Sequence, residues 1–160
     1  MADPMKIAVV GGGPSGLYFA ILMKRADAAN EVVVFEQNKP DDTFGFGVVF
    51  SDATIAEVES ADEATYRAIT DHFVHWDDID VHYGGEVVRS TGHGFSGMSR
   101  QTLLTVLQGV AAEMGVDVRY ETRVDDLEQF GAYDLVVGSD GVNSRVRELL
   151  GNRVQPTFDC

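Results

Sequence analysis

Lys6-Ile7-Ala8-Val9-Val10-Gly11-Gly12-Gly13-Pro14-Ser15-Gly16, followed at a distance by Glu36, decides the fold. Lys6 to Val10 is a short, nearly all-apolar run of the kind that forms a strand buried on both faces. A glycine-rich turn comes next, then an apolar helix from Ser15 to about Ala28. Glu31-Val32-Val33-Val34-Phe35-Glu36 is a second strand, rich in β-branched residues. The glycines fall as Gly11-x-Gly13-x-x-Gly16, and Glu36 ends the second strand 20 positions after Gly16. Strand, glycines, helix, strand and acid thus stand in the order that a dinucleotide demands.

Each position has a physical task. Gly11 permits the tight turn out of the strand. Gly13 lacks a Cβ, so a pyrophosphate can approach the main chain. Gly16 lets the helix pack closely on the strand. Pro14 and Ser15 open the helix, whose first N–H groups have no partner within it and can face phosphate. Glu36 can accept hydrogen bonds from both ribose hydroxyls, and its charge repels a 2′-phosphate. The motif by itself serves FAD and NAD alike.

Outward from this unit, Asn38 to Phe50 reads as a loop, and Ser51 or Asp52 as the cap of a helix reaching about Ile69. Ile79–Tyr83 and Glu86–Ser90 flank Gly84-Gly85, a hairpin signal. Ser99 precedes a helix from Arg100 to Met114, ended by Gly115. Val116 to Glu121 and Asp134 to Gly138 read as strands, the second buried, and Asn143 to Leu150 as a short helix. A right-handed crossover sets the first two strands side by side and parallel. Asp134–Gly138 is expected on the other side of the first strand, with the turns after both facing one crevice. The expected architecture is α/β, a Rossmann-like dinucleotide-binding domain over 1–160 with a parallel sheet and an inserted β-hairpin at about 79–90, which the family resemblance given below makes an FAD-binding domain.

The 160 residues carry a formal charge of −14. That balance opposes a phosphate backbone or an anionic bilayer as partner. The start, Met1-Ala2-Asp3-Pro4, has neither the basic nor the apolar part of a leader, and no apolar run is long enough to span a membrane. Cys160, the single cysteine, cannot form a disulfide within the chain, which suits a reducing cytoplasm. His72, His75, His82 and His93 lack a second ligand cluster that would complete a metal site. Ser96 and Ser99 lack the setting of a nucleophile.

The later strand-turn-helix reads Gly138-Ser139-Asp140-Gly141-Val142-Asn143-Ser144-Arg145-Val146-Arg147. Asp140, Gly141, Ser144 and Arg147 match the spacing of a motif in the class A flavoprotein monooxygenases, and the chain resembles that family from Lys6 to about Arg153. The resemblance implies that Asp140 and Gly141 lie near the FAD pyrophosphate and ribityl chain. It implies that Arg100 contacts FAD, although an exposed arginine on an amphipathic helix fits the same spacing. It places the backbone at Val124 against the adenine. Phe44-Gly45-Phe46-Gly47-Val48-Val49-Phe50-Ser51-Asp52 resembles the loop near the flavin in a subgroup hydroxylating aryl-CoA thioesters, with Gly47 close to the ring. A plain loop with buried phenylalanines is the alternative.

The implied activity is NAD(P)H-dependent hydroxylation of an aromatic substrate, with NADH or NADPH as donor and one oxygen atom of O₂ transferred. The expected cofactor site is Gly11, Gly13, Pro14, Ser15, Gly16, Glu36, Gly47, Arg100, Val124, Asp140 and Gly141. No residue is assigned as catalytic acid or base, since the cofactor carries the chemistry. The family's downstream Gly-Asp motif and main substrate-domain sheet have no counterpart here, which points to an N-terminal fragment of a longer enzyme. A flavin reductase, dehydrogenase or halogenase, or a non-catalytic dinucleotide-binding module, remain the other readings.

Overall fold

The computed structural model describes residues 3–151; Cys160 and Arg153 lie outside that range. The chain divides into two compact units, one formed by Met1–Asp42 with Leu107–Cys160 and the other by Thr43–Val106.

In the first unit, β1 (Lys6–Val10), β2 (Glu31–Phe35), β8 (Asp117–Arg119) and β9 (Leu135–Gly138) form one parallel sheet in the order β8-β2-β1-β9. Ile7 aligns with Val32 on one side and Leu135 on the other, and Val10 with Phe35 and Gly138. The expected placement of the last strand therefore holds. Successive side chains of β1 point to opposite faces, and both faces are covered. Ala8 and Val10 join Val33, Phe35, Val124, Phe130 and Val146 in one cluster. Ile7 and Val9 on the other face are fully buried, as are Leu17, Ala20 and Ile21 of α1 (Pro14–Ala26), which packs on β1 and β2. Burying each such aliphatic side chain contributes about 1.5–3 kcal/mol. One expectation fails here. Leu135–Gly138 is only half buried, with Val136 exposed, because β9 lies at an edge of the sheet.

The second unit holds β3 (Gly47–Ser51), β4 (Val74–Trp76) and β7 (Phe95–Ser99) as an antiparallel sheet in the order β3-β7-β4. The supposed loop Asn38–Phe50 thus ends in a strand, pinned when Gly47 to Ser51 pair with Ser99 to Phe95. Gly97 sits under an aromatic ring; a Cβ there would stand 2.9 Å from Trp76 Cη2. The single helix expected from Ser51 to Ile69 is two, α2 (Asp52–Ala61) and α3 (Glu63–Thr70). Asp62 breaks it. Its backbone is extended, and its buried carboxylate caps α3 by accepting from Ala64 N–H at 3.1 Å and Thr65 N–H at 3.2 Å. Aspartate competes with the helix for just such bonds. Ser51 caps α2, as its position suggested.

The hairpin of β5 (Ile79–Tyr83) and β6 (Glu86–Ser90) lies between β4 and β7, in the expected register. Gly84 and Gly85 both have positive φ, as a tight two-residue hairpin turn requires. One face carries Ile79, Val81, Tyr83 and Val88, all exposed; the other carries Asp80 bound to Arg89. α4 (Arg100–Glu113) starts at Ser99, whose Oγ accepts from Thr102 N–H at 3.0 Å, and ends at Gly115 with φ +75°. The division between the units falls within α4. Among the described residues, no helix is long and apolar enough to cross a membrane.

Candidate dinucleotide site

The turn after β1 is built against the turn after β9. Gly11 has φ +108°, a conformation that favours glycine, and its N–H donates to the Phe35 carbonyl at 2.8 Å. A Cβ on Gly11 would lie 2.5 Å from the Ser139 carbonyl oxygen, and one on Gly16 would collide with the Gly11 carbonyl oxygen. Ser139 ties the turns together: its N–H donates to Val10 O at 2.8 Å, and its Oγ to Val10 O and Gly11 O at 3.0 Å each. The two loops therefore share one place at the carboxyl ends of adjacent strands.

Gly13 differs from its neighbours. It is the N-cap of α1, with an ordinary φ of −72° and no side-chain cap, and a Cβ built on it meets nothing within 4 Å. Pro14 follows in the first turn, where its missing N–H costs nothing. Ser15 and Gly16 complete a helix start lacking acidic side chains, an arrangement suited to an anion, each favourably placed charge contributing about 0.3–1 kcal/mol. Space above bare main chain, at an uncapped helix start, fits a diphosphate.

Glu36 follows β2, anchored by its N–H to Arg119 O at 2.9 Å and by Thr122 N–H to its carbonyl at 2.8 Å. Its carboxylate is already engaged. Oε2 accepts from Gly12 N–H at 2.7 Å, and Oε1 from Asn38 N–H at 2.8 Å and Asn38 Nδ2 at 2.7 Å. Burial, and then the Glu36 charge, push the Tyr120 phenol above its ordinary value. Gly12, Asn38 and Ser139 are members of this site that motif spacing did not single out. The run of three glycines was the available signal for Gly12.

Asp140 faces inward on its own turn. Oδ1 accepts from the Ser144 hydroxyl and Oδ2 from Val146 N–H at 3.0 Å, while Ser144 Oγ accepts from Arg147 N–H at 3.1 Å. The helix expected over Asn143–Leu150 is accordingly shorter, α5 (Arg145–Leu149), and its first N–H groups are taken up by these caps. Gly141 has φ +83° and open space where a Cβ would stand. Val124 has a buried side chain in the core cluster.

The remaining sequence candidates belong to the second unit. Gly47 sits where a Cβ would meet the Met98 carbonyl oxygen at 3.1 Å, so strand pairing alone calls for a small residue. Phe44 and Phe46 stand exposed, unlike the buried phenylalanines of a plain loop. Arg100 is half-buried; its N–H donates to Phe46 O at 3.2 Å, and its Nε is buried with no acceptor. A hollow of about 400 Å³ opens instead at the amino ends of β1, β2 and β8. Its cations are satisfied: Lys6 by Glu31, Arg119 by Asp117, and Lys24 by two carbonyls.

A model of the NAD(P)-binding Rossmann-like domain matches residues 9–45. The chain is 49% identical over 155 residues to salicyloyl-CoA 5-hydroxylase of Streptomyces sp, covering 97% of this chain and 30% of that protein. It is 36% identical over 143 residues to 3-hydroxy-4-methyl-anthranilyl-(aryl-carrier protein) 5-monooxygenase of Streptosporangium sibiricum, covering 89% of this chain and 40% of that one. Among solved structures, the tetrameric form of 2-methyl-3-hydroxypyridine-5-carboxylic acid oxygenase superposes with a TM-score of 0.80 at 22% identity, over 94% of this chain and 43% of that one, a likeness of fold. The chain thus spans well under half the length of these proteins. Identity of 49% along nearly all of the chain, with the two glycine turns interlocked beside β1, makes the chain similar to part of an aromatic-hydroxylating monooxygenase and upholds its resemblance to the class A flavoprotein monooxygenases.

Proposed function

We propose that this chain is the FAD-binding part of an NAD(P)H-dependent monooxygenase that hydroxylates an aromatic acid held as a thioester. The observation that carries the reading is the bare, uncapped start of α1 at Gly13, with Gly11 and Gly16 packed against the second turn. Gly13, Ser15 and Gly16 receive the diphosphate on main-chain N–H groups, and Pro14, which has none, fixes the first turn of the helix between them. Glu36 accepts from the adenosine ribose. Gly141 offers bare main chain, and Asp140 holds that turn in shape. The main chain at Val124 borders the adenine. Arg100 and Gly47 are assigned to FAD on the family resemblance, supported at Arg100 by its unpartnered Nε.

Bound FAD supplies the redox chemistry that links NADH or NADPH and O₂ to oxygen insertion into an aromatic ring. The protein's part is to hold the cofactor, fix its charges and keep water from the reacting centre. The thioester class is supported by the names of the two relatives, one acting on a CoA ester and the other on a carrier-bound acyl group. Cytoplasmic location fits the need for a reduced nicotinamide.

The test uses the purified full-length enzyme of which this chain is the FAD-binding part, mixed with FAD and passed through a desalting column. Retained yellow colour, and NAD(P)H oxidation stimulated by an aryl-CoA but not by the free acid, are the expected results. Retained FAD without any NAD(P)H oxidation would leave a binding module only, and a colourless protein that binds NAD would replace this reading with an ordinary NAD site.

A further inference from the structure

A carboxylate can accept about four hydrogen bonds, two on each oxygen. In Glu36 three of these are filled within the protein. The Asn38 main-chain N–H and side-chain Nδ2 occupy Oε1 at 2.8 and 2.7 Å, and the Gly12 N–H occupies one position of Oε2 at 2.7 Å. One acceptor position is left, on Oε2. The carboxylate is held from three sides. A Cβ on Gly12 would stand 2.9 Å from Glu36 Cβ, so the side chain lies against main chain there. Asn38 is itself tethered, its carbonyl accepting from Glu121 N–H at 3.2 Å.

We infer that Asn38 is a positioning residue that leaves Glu36 a single acceptor, so that the site grips one hydroxyl of the adenosine ribose and not both. The inference rests on the nucleotide-binding reading above and refines it. A carboxylate with both oxygens open can take both hydroxyls of the diol. Here the Asn38 amide uses the position that would serve the second. Without that side chain the Asn38 main-chain N–H still holds Oε1, but one position on Oε1 is released, and Glu36 can then serve both hydroxyls.

The experiment titrates the full chain with FAD and with two FAD analogues, one lacking the 2′- and one the 3′-hydroxyl of the adenosine ribose. Flavin fluorescence reads the binding, and circular dichroism confirms that each variant is folded. In the parent, one analogue should bind about tenfold more weakly than FAD, the loss expected for one hydrogen bond to a charged group, and the other should equal FAD. In Asn38→Ala both analogues should bind more weakly than FAD. In Glu36→Ala, alone or with Asn38→Ala, both should match it. Equal losses for the two analogues in the parent would overturn the inference, and that comparison needs no variant. Parental preference persisting in Asn38→Ala would overturn it too. Failure of the parent to bind FAD would bring down the nucleotide reading together with this one, whereas FAD binding with no hydroxyl preference sinks only the role given to Asn38.

Discussion

Gly13 and Gly16 stand three positions apart and invite opposite expectations. At Gly13 the backbone is ordinary and the space above it open, so Gly13→Val should fold, at a cost of about 1 kcal/mol at most for a poorer N-cap. The added side chain would occupy the room a diphosphate needs, and FAD titration should show binding lost. Gly16→Val has no such room, since even its Cβ meets the Gly11 carbonyl. It should lower stability by about 3 kcal/mol or more, read in urea, whether or not ligand is present. A Gly13→Val protein that retains full flavin affinity would remove the diphosphate from this turn. Spacing alone makes Gly11, Gly13, Gly16 and Glu36 legible in the sequence. Ser139 and Asn38 are not legible, because no period marks them. Ser139 acts across 128 positions of chain on the Gly11 carbonyl, and Asn38 through an amide geometry that only folding defines.

Among the elements, Lys6–Val10, Pro14–Ala26 and Glu31–Phe35 could be read within a residue or two, because local pattern and long-range packing demand the same conformation there. Phe95–Ser99 and Val74–Trp76 could not. They are short, one contains glycine and serine, and each is a strand only through its neighbours' hydrogen bonds: β4 pairs with β7, and β7 with both β4 and β3. The break at Asp62 was hidden by acidic residues on both sides of it. It can be checked directly. Asp62→Ala removes the cap of α3 and leaves the fully buried Thr65 hydroxyl without its partner, so a loss of about 2 kcal/mol is expected in chemical denaturation. Asp62→Asn should recover part of it. Gly97→Ala should displace Trp76, the single tryptophan of the chain, and shift its emission. At the hairpin, the hydrogen bond and charge of Arg89 hold the Asp80 carboxyl below its ordinary value. The support that this pair gives is present above the ordinary carboxylate range and fades as pH falls through the lowered value. Arg89→Ala should return the Asp80 titration, followed by NMR, to the usual range.

For the whole molecule, the charge of −14 sets its behaviour in solution more than its fold. Like charges keep copies apart at low salt, and screening shortens that repulsion to about 10 Å at 0.1 M. The ribbon of β5 and β6 then matters. Two strands without a covering layer are marginal in water, and here every residue from Ile79 to Ser90 is exposed. Such a segment opens long before the rest of the molecule does. In deuterated buffer the amides of Val81 and Val88 should therefore be replaced within the earliest time points, while those of Val9 and Val34 outlast them by orders of magnitude. A broad-specificity protease should make its first cut near Gly84-Gly85, and raising the salt should bring copies together through the same greasy strip.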